Sequence, residues 1–194
     1  MPDPRHAYRP DDALILVDVQ IDFCPGGALP IEHGDEVVPV LNRWVAAAAD
    51  AGVPVFASRD WHPRQHLSFM ESGGRWPPHC VQDSPGAQFH PDLELPDDAI
   101  IVTKGVRFDR DQYSAFDETG LATELRKRGV RRVWVGGLAQ DVCVHATVLD
   151  ARRHGFDTVV IADGTRPVSR DACERVNEEM RRAGAVFETT DGAA

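Results

Sequence analysis

Three residues whose chemistry could combine in acyl transfer stand where the hydrophobic pattern of the chain breaks. Cys143 follows Val133-Trp134-Val135-Gly136-Gly137-Leu138-Ala139, which reads as a buried strand, a tight glycine turn and the approach to a helix. A thiol in the first turn of that helix lies at the positive end of its dipole, where the pKa falls and the thiolate becomes accessible. Asp18 interrupts the apolar run at 13–19 near its end, and Lys104 follows the run at 99–103. Each has an ordinary structural explanation: free cysteines usually pack as small hydrophobes, and strand-end acids and lysines are usually solvated. As a set they can do more. Cysteine supplies a nucleophile, a carboxylate can take its proton, and an ammonium can orient that carboxylate. No histidine is placed at a strand end to serve instead, so the set reads as Cys-Asp-Lys.

A second constellation follows the apolar run at 53–57. In Ser58-Arg59-Asp60-Trp61-His62-Pro63-Arg64-Gln65-His66, Asp60 and His62 are two residues apart, which in extended chain puts both side chains on one face. Carboxylate plus imidazole suits zinc, iron or manganese. His79, in Trp76-Pro77-Pro78-His79-Cys80, offers a third ligand, and His66 is a candidate for a fourth or for a supporting role. Three protein ligands would leave coordination positions open for water or substrate. The aperiodic segment at 58–98 that carries these residues is too long for a plain connection, and such loops are usually functional.

The elements that must position these residues are legible in outline. Strands are expected at 13–19, 53–57, 99–103, 130–135, 158–162 and 185–188. Helices are expected from an Asp35 cap to Gly52, and at 117–128, 140–154 and 169–183. Strand-helix alternation gives one domain over 1–194, a three-layer α/β/α architecture with a mostly parallel six-stranded sheet of Rossmann-like type. In such sheets ligands bind outside the carboxyl ends of the strands, which is where Asp18, Lys104 and Cys143 fall.

Composition narrows the function classes. With 21 Lys+Arg against 31 Asp+Glu the chain carries a formal charge of −10, which argues against a nucleic-acid or anionic-membrane partner. No apolar run is long enough to span a bilayer and no signal-peptide pattern opens the chain, so a cytoplasmic protein is expected. Cys24, Cys80, Cys143 and Cys173 are scattered without C-x-x-C spacing, which points to thiols rather than a disulfide framework or a cysteine-rich zinc site. Assembly as a homo-oligomer is left open.

Taken together, the motifs resemble the nicotinamidase/pyrazinamidase family of isochorismatase-like cysteine hydrolases. They are Val17-Asp18-Val19-Gln20-Ile21-Asp22-Phe23-Cys24-Pro25-Gly26-Gly27, Arg59-Asp60-Trp61-His62-Pro63, Trp76-Pro77-Pro78-His79-Cys80, Lys104-Gly105, Tyr113-Ser114-Ala115-Phe116, and Gly137-Leu138-Ala139 through Cys143. The resemblance implies hydrolysis of nicotinamide, and of pyrazinamide, to the acid and ammonia through a cysteine thioester. It implies Cys143 as nucleophile, Asp18 as general base and acid, and Lys104 as the third catalytic group. One divalent metal ion on Asp60, His62 and His79 would bind the pyridine nitrogen. Gln20, Phe23, Leu29, Trp76, Tyr113 and Leu138 would line the ring pocket. A cis peptide at Leu138–Ala139 would let the Ala139 and Cys143 N–H groups form an oxyanion hole. The chain departs from the pattern at Gln140, where threonine is frequent, at Ile21, where asparagine is common, and in the charged stretch at 107–112. Two alternatives have other requirements: a metal-independent isochorismatase or N-carbamoyl amino acid amidase would not need the Asp60/His62/His79 set. A non-enzymatic α/β binding protein would not need Asp18, Lys104 and Cys143.

Overall fold

The computed structural model describes residues 8–191. Its strands are β1 (Asp12–Val17), β2 (Val55–Asp60), β3 (Ile100–Lys104), β4 (Arg132–Leu138), β5 (Asp157–Arg166) and β6 (Val186–Glu188). They form one sheet in the order β3-β2-β1-β4-β5-β6, and every neighbouring pair is parallel. Parallel neighbours require crossovers. Helices supply four of these: α1 (Val37–Ala51), α2 (Leu121–Lys127), α3 (His145–Arg153) and α4 (Cys173–Arg182). The connection from β2 to β3 has no α-helix and is the irregular segment bearing the histidines.

Strand alternation distributes the apolar residues to two cores. Leu14 and Leu16 of β1 pack with Leu41 and Trp44 of α1 on one face. Ala13, Ile15 and Val17 pack with Leu125 of α2, Val148 of α3 and Met180 of α4 on the other. The result is the expected three-layer α/β/α arrangement, with a central sheet buried on both sides. Among the described residues, no helix is long and apolar enough to cross a membrane.

The strand ends differ from the sequence-based expectation, because a ladder of backbone hydrogen bonds continues through polar residues and glycines. β1 stops at Val17, where Asp18 turns into the left-handed region at φ 48°. β2 runs on to Asp60, held in register with Lys104 of β3. β4 continues through Gly136 and Gly137, which are strand residues and not a turn. A Cβ on Gly137 would lie 2.1 Å from the carbonyl oxygen of Val17, and its φ is +124°, so close approach to β1 requires glycine there. β5 spans ten residues, with a shift in its register against β4 between Val135 and Gly137.

Helix starts also lie later than expected. Asp35 does not cap α1: a 3-10 turn at Gly34–Glu36 comes first, and no side chain caps Val37–Ala51. α2 begins at Leu121, after Glu118 and Gly120 adopt positive φ. A 3-10 turn at Arg170–Ala172 likewise precedes α4. The helix after β4 opens with a wide π-type turn, Gln140–Val144, and becomes α-helical only at His145.

One buried carboxylate, not evident from the sequence, fastens the opposite end of the sheet. Asp12 is fully buried and accepts hydrogen bonds from Arg132 Nε (2.8 Å), Trp134 Nε1 (3.0 Å) and the Arg9 backbone N–H (2.8 Å). Removing an acceptor shared by three residues leaves buried polar groups to be satisfied elsewhere. Asp12→Ala is expected to lower the unfolding free energy by about 3 kcal/mol, measured by urea titration; a loss well under 1 kcal/mol would contradict this role for Asp12.

Candidate active site

Four neighbouring strands bring four residues to the carboxyl edge. Asp18 follows β1, Asp60 ends β2, Lys104 ends β3, and Cys143 lies in the π-type turn after β4. Lys104 Nζ is 2.6 Å from Asp60 Oδ1, 2.7 Å from Asp18 Oδ2, and 3.5 Å from Cys143 Sγ. Ser58, one strand over, donates its hydroxyl to Asp18 Oδ1 at 2.6 Å. Asp18 and Lys104 are wholly buried and Cys143 is 5% exposed, so solvent does not screen these charges.

That burial sets the protonation states. Desolvation pushes the Asp18 carboxyl above its usual range and Asp60 adds to the rise, while Lys104 opposes it. Burial alone would lower the Lys104 ammonium, but Asp18 and Asp60 hold it well above the ordinary lysine range. Desolvation raises the Cys143 thiol well above a free cysteine; Lys104 counteracts this, and Asp18 and Asp60 reinforce it. The lowered pKa expected from the helix start is therefore corrected. Cys143 rests as a thiol and needs a base to ionise.

A cavity with about 370 Å³ of empty space, mouth included, opens over Cys143. Phe23, Leu29, Trp76, Tyr113 and Ala139 line it, as do Asp60, His62 and His79. Trp76 Nε1 donates to Tyr113 Oη at 3.1 Å, locking two of the aromatic walls together. Ile31, Val142, Val168 and Asp111, which no motif singles out, also line the cavity. Both arginines of the charged stretch at 107–112 are paired: Arg107 with Asp109 and Glu118, and Arg110 with Asp117.

Gln20 and Leu138 are fully buried and are not among the lining residues. Gln20 is instead a clamp on Asp60. Its Nε2 donates to the Asp60 carbonyl and its Oε1 accepts the Asp60 N–H, each at 2.8 Å. Leu138 packs in the core beside α1, and the Leu138–Ala139 peptide is cis.

The ligand atoms of Asp60, His62 and His79 all lie within 4.8 Å of one another. His62 Nδ1 is 2.8 Å from the Gly105 carbonyl and His79 Nδ1 is 2.7 Å from that of Pro77, which leaves Nε2 of each ring for a ligand. Backbone carbonyls fixing the far ring nitrogen are what metal-ligating histidines usually have. His66 stacks on His62 with centroids 4.4 Å apart, but it groups with His62 and Asp111 and not with Asp60 and His79. His66 Nε2 is buried without a hydrogen-bond partner, an orphan that an ion or its bound water would satisfy. The donor set thus fits a divalent metal. Gly105 is essential to it: at φ +71°, a Cβ there would lie 2.6 Å from His62 Cε1 and 2.8 Å from Nδ1. Gly105→Ala is expected to weaken metal binding by about 10- to 100-fold in chelator competition. Unchanged affinity would remove His62 from the ligand set.

Comparison with known proteins agrees with this geometry. Residues 12–192 match the family model described as the isochorismatase domain. The chain is 40% identical to the nicotinamidase of Escherichia coli, over 93% of this chain and 95% of that protein. It is 42% identical to the nicotinamidase/pyrazinamidase of Mycobacterium tuberculosis, over 88% and 95% respectively. The crystal structure of the pyrazinamidase of Pyrococcus horikoshii in complex with zinc superposes with a TM-score of 0.90 at 44% identity, covering 93% of this chain and 99% of that one. With a buried cysteine, aspartate and lysine at one sheet edge and a carboxylate-histidine set beside them, the chain belongs to the nicotinamidase family within the isochorismatase-like hydrolases.

Proposed function

We propose that this protein is an amidohydrolase that converts nicotinamide to nicotinate and ammonia, and accepts pyrazinamide in the same way. The observation that carries the reading is one cavity joining Cys143 to Asp60, His62 and His79, with Asp18 and Lys104 buried beneath. Either half alone would suit other chemistries. Side by side they suit a small ring with a carboxamide at one end and a metal-seeking nitrogen at the other.

In the proposed mechanism Asp18 takes the Cys143 proton as Sγ attacks the carboxamide carbon. The carbonyl oxygen becomes an oxyanion held by the Ala139 and Cys143 N–H groups; losing one such donor typically costs about 3 kcal/mol. Asp18 then delivers the proton to the departing nitrogen, the C–N bond breaks, ammonia leaves and a thioester remains. Next, Asp18 takes a proton from water as its oxygen attacks the thioester carbon; when the C–S bond breaks, Asp18 returns that proton to the Cys143 sulfur, and the nicotinic acid released ionises to nicotinate. Lys104 stays charged throughout and holds the carboxylate where it can exchange that proton. Phe23, Leu29, Trp76 and Tyr113 hold the ring. Asp60, His62 and His79 would hold a divalent ion, which would supply Lewis acidity towards the ring nitrogen. The donor set suits zinc, iron or manganese, and His66 is a further candidate near it. A cytoplasmic setting accords with four unpaired thiols.

Two measurements test this. Cys143→Ala should reduce ammonia release from nicotinamide to background while metal content stays at the wild-type level; wild-type-like turnover would sink the mechanism. An assay of nicotinamide, pyrazinamide and an N-carbamoyl amino acid, with and without chelator, should show the two aromatic amides preferred and their turnover lost on chelation. Preference for the carbamoyl substrate, undiminished by complete chelation, would replace this reading with that of a metal-independent relative.

A further inference from the structure

Asp22 has no role in the chemistry above, yet its carboxylate joins three loops around the candidate metal set. The residue is 9% exposed. Its Oδ2 accepts the Cys80 backbone N–H at 2.7 Å, and its Oδ1 accepts the Ala28 N–H at 3.1 Å. Its carbonyl accepts the N–H of Leu29, a cavity-lining residue, at 2.9 Å. Cys80 directly follows His79, and its own carbonyl accepts the His62 N–H at 2.8 Å. A continuous chain of hydrogen bonds therefore runs from the Leu29 wall through Asp22 to the backbone at both histidines. Cys80 sits at φ 45°, a conformation that non-glycine residues adopt only where the surroundings impose it.

The third loop yields to the same carboxylate. A Cβ on Gly86 would lie 2.1 Å from Asp22 Oδ1 and 2.3 Å from Oδ2. Nothing larger than glycine fits while Asp22 keeps its place. Both carboxylate oxygens are in use as acceptors of backbone N–H groups, and charge-assisted bonds of this kind are stronger than neutral ones. An asparagine has the same shape but one acceptor oxygen, so it can satisfy Cys80 or Ala28 and not both.

We propose that Asp22 is a positioning residue that sets the separation of His62 and His79 and ties it to the Leu29 side of the ring pocket. The inference rests on reading Asp60, His62 and His79 as metal ligands. None of Asp22's hydrogen bonds reaches Asp18, Lys104 or Cys143. Its loss should therefore act on metal and substrate binding and spare the chemical step.

Asp22→Asn and Gly86→Ala disturb one contact from opposite sides and should behave alike. Zinc affinity, measured by chelator competition, should fall about 10- to 100-fold in both. The visible absorption of the cobalt-loaded proteins should shift, and KM for nicotinamide should rise with kcat at saturating metal little changed. Wild-type zinc affinity and an unchanged cobalt spectrum in Asp22→Asn would overturn the proposal. So would a joint fall of kcat and melting temperature without the affinity change, since that marks a general structural role. A wild-type protein that binds no zinc would sink the metal reading and this inference with it, whereas wild-type binding matched by both variants sinks the inference alone.

Discussion

The Lys104 ammonium held between Asp18 and Asp60 is the interaction on which the site depends. Two carboxylates and a lysine out of contact with water cannot each keep their charge alone. Lys104 Nζ donates to Asp60 Oδ1 at 2.6 Å, to the Gln112 carbonyl at 3.4 Å and to Cys143 Sγ at 3.5 Å, and pairs ionically with Asp18 Oδ2 at 2.7 Å. Removing the ammonium would leave two like charges facing each other in a dry interior, at a cost of about 3–5 kcal/mol. The same arrangement makes Asp18 a stronger base than a solvated aspartate, because desolvation raises its pKa against the pull of Lys104.

Sheet topology makes this contact unavoidable. With β3, β2, β1 and β4 side by side and parallel, their carboxyl ends open on one edge. Lys104 on the outer strand reaches past Asp60 to Asp18, and the turn after β4 delivers Cys143 from the other side. The close approach of Gly137 to Val17 brings β4 near enough for that reach. The π-type turn then gives Cys143 a backbone setting distinct from the α-helix that follows, as such turns often do at functional sites.

How much of this was legible in the sequence depends on whether side-chain type or backbone geometry decided the outcome. Apolar runs located β3 to within one residue and β1 to within two, because burial on both faces demands such runs. Asp60 and Gly137 looked like loop residues, since a ladder of backbone bonds accepts any side chain that clears its neighbours. Asp18, Lys104 and Cys143 stood out by chemical type at strand ends. Ser58, Gln20 and Asp22 act through contacts across 40 or more residues of sequence, and no local spacing announces them. The reversal of the expected thiol acidity has the same origin: a helix start is visible in sequence, whereas complete desolvation is a property of the packed site.

The passage from β2 to β3 without an α-helix has a consequence for how such a site can change. The register between β2 and β3 fixes Asp60 against Lys104 through the backbone ladder, so this ion pair needs no helix between the two strands. Ring preference can drift through Trp76, His79 and their neighbours while the bond-breaking groups remain on the sheet. Asp60 is the exception, with one oxygen on Lys104 and the other turned 3.5 Å from His62. It belongs to both modules, and so it is the position at which the evolution of substrate choice and the preservation of chemistry meet.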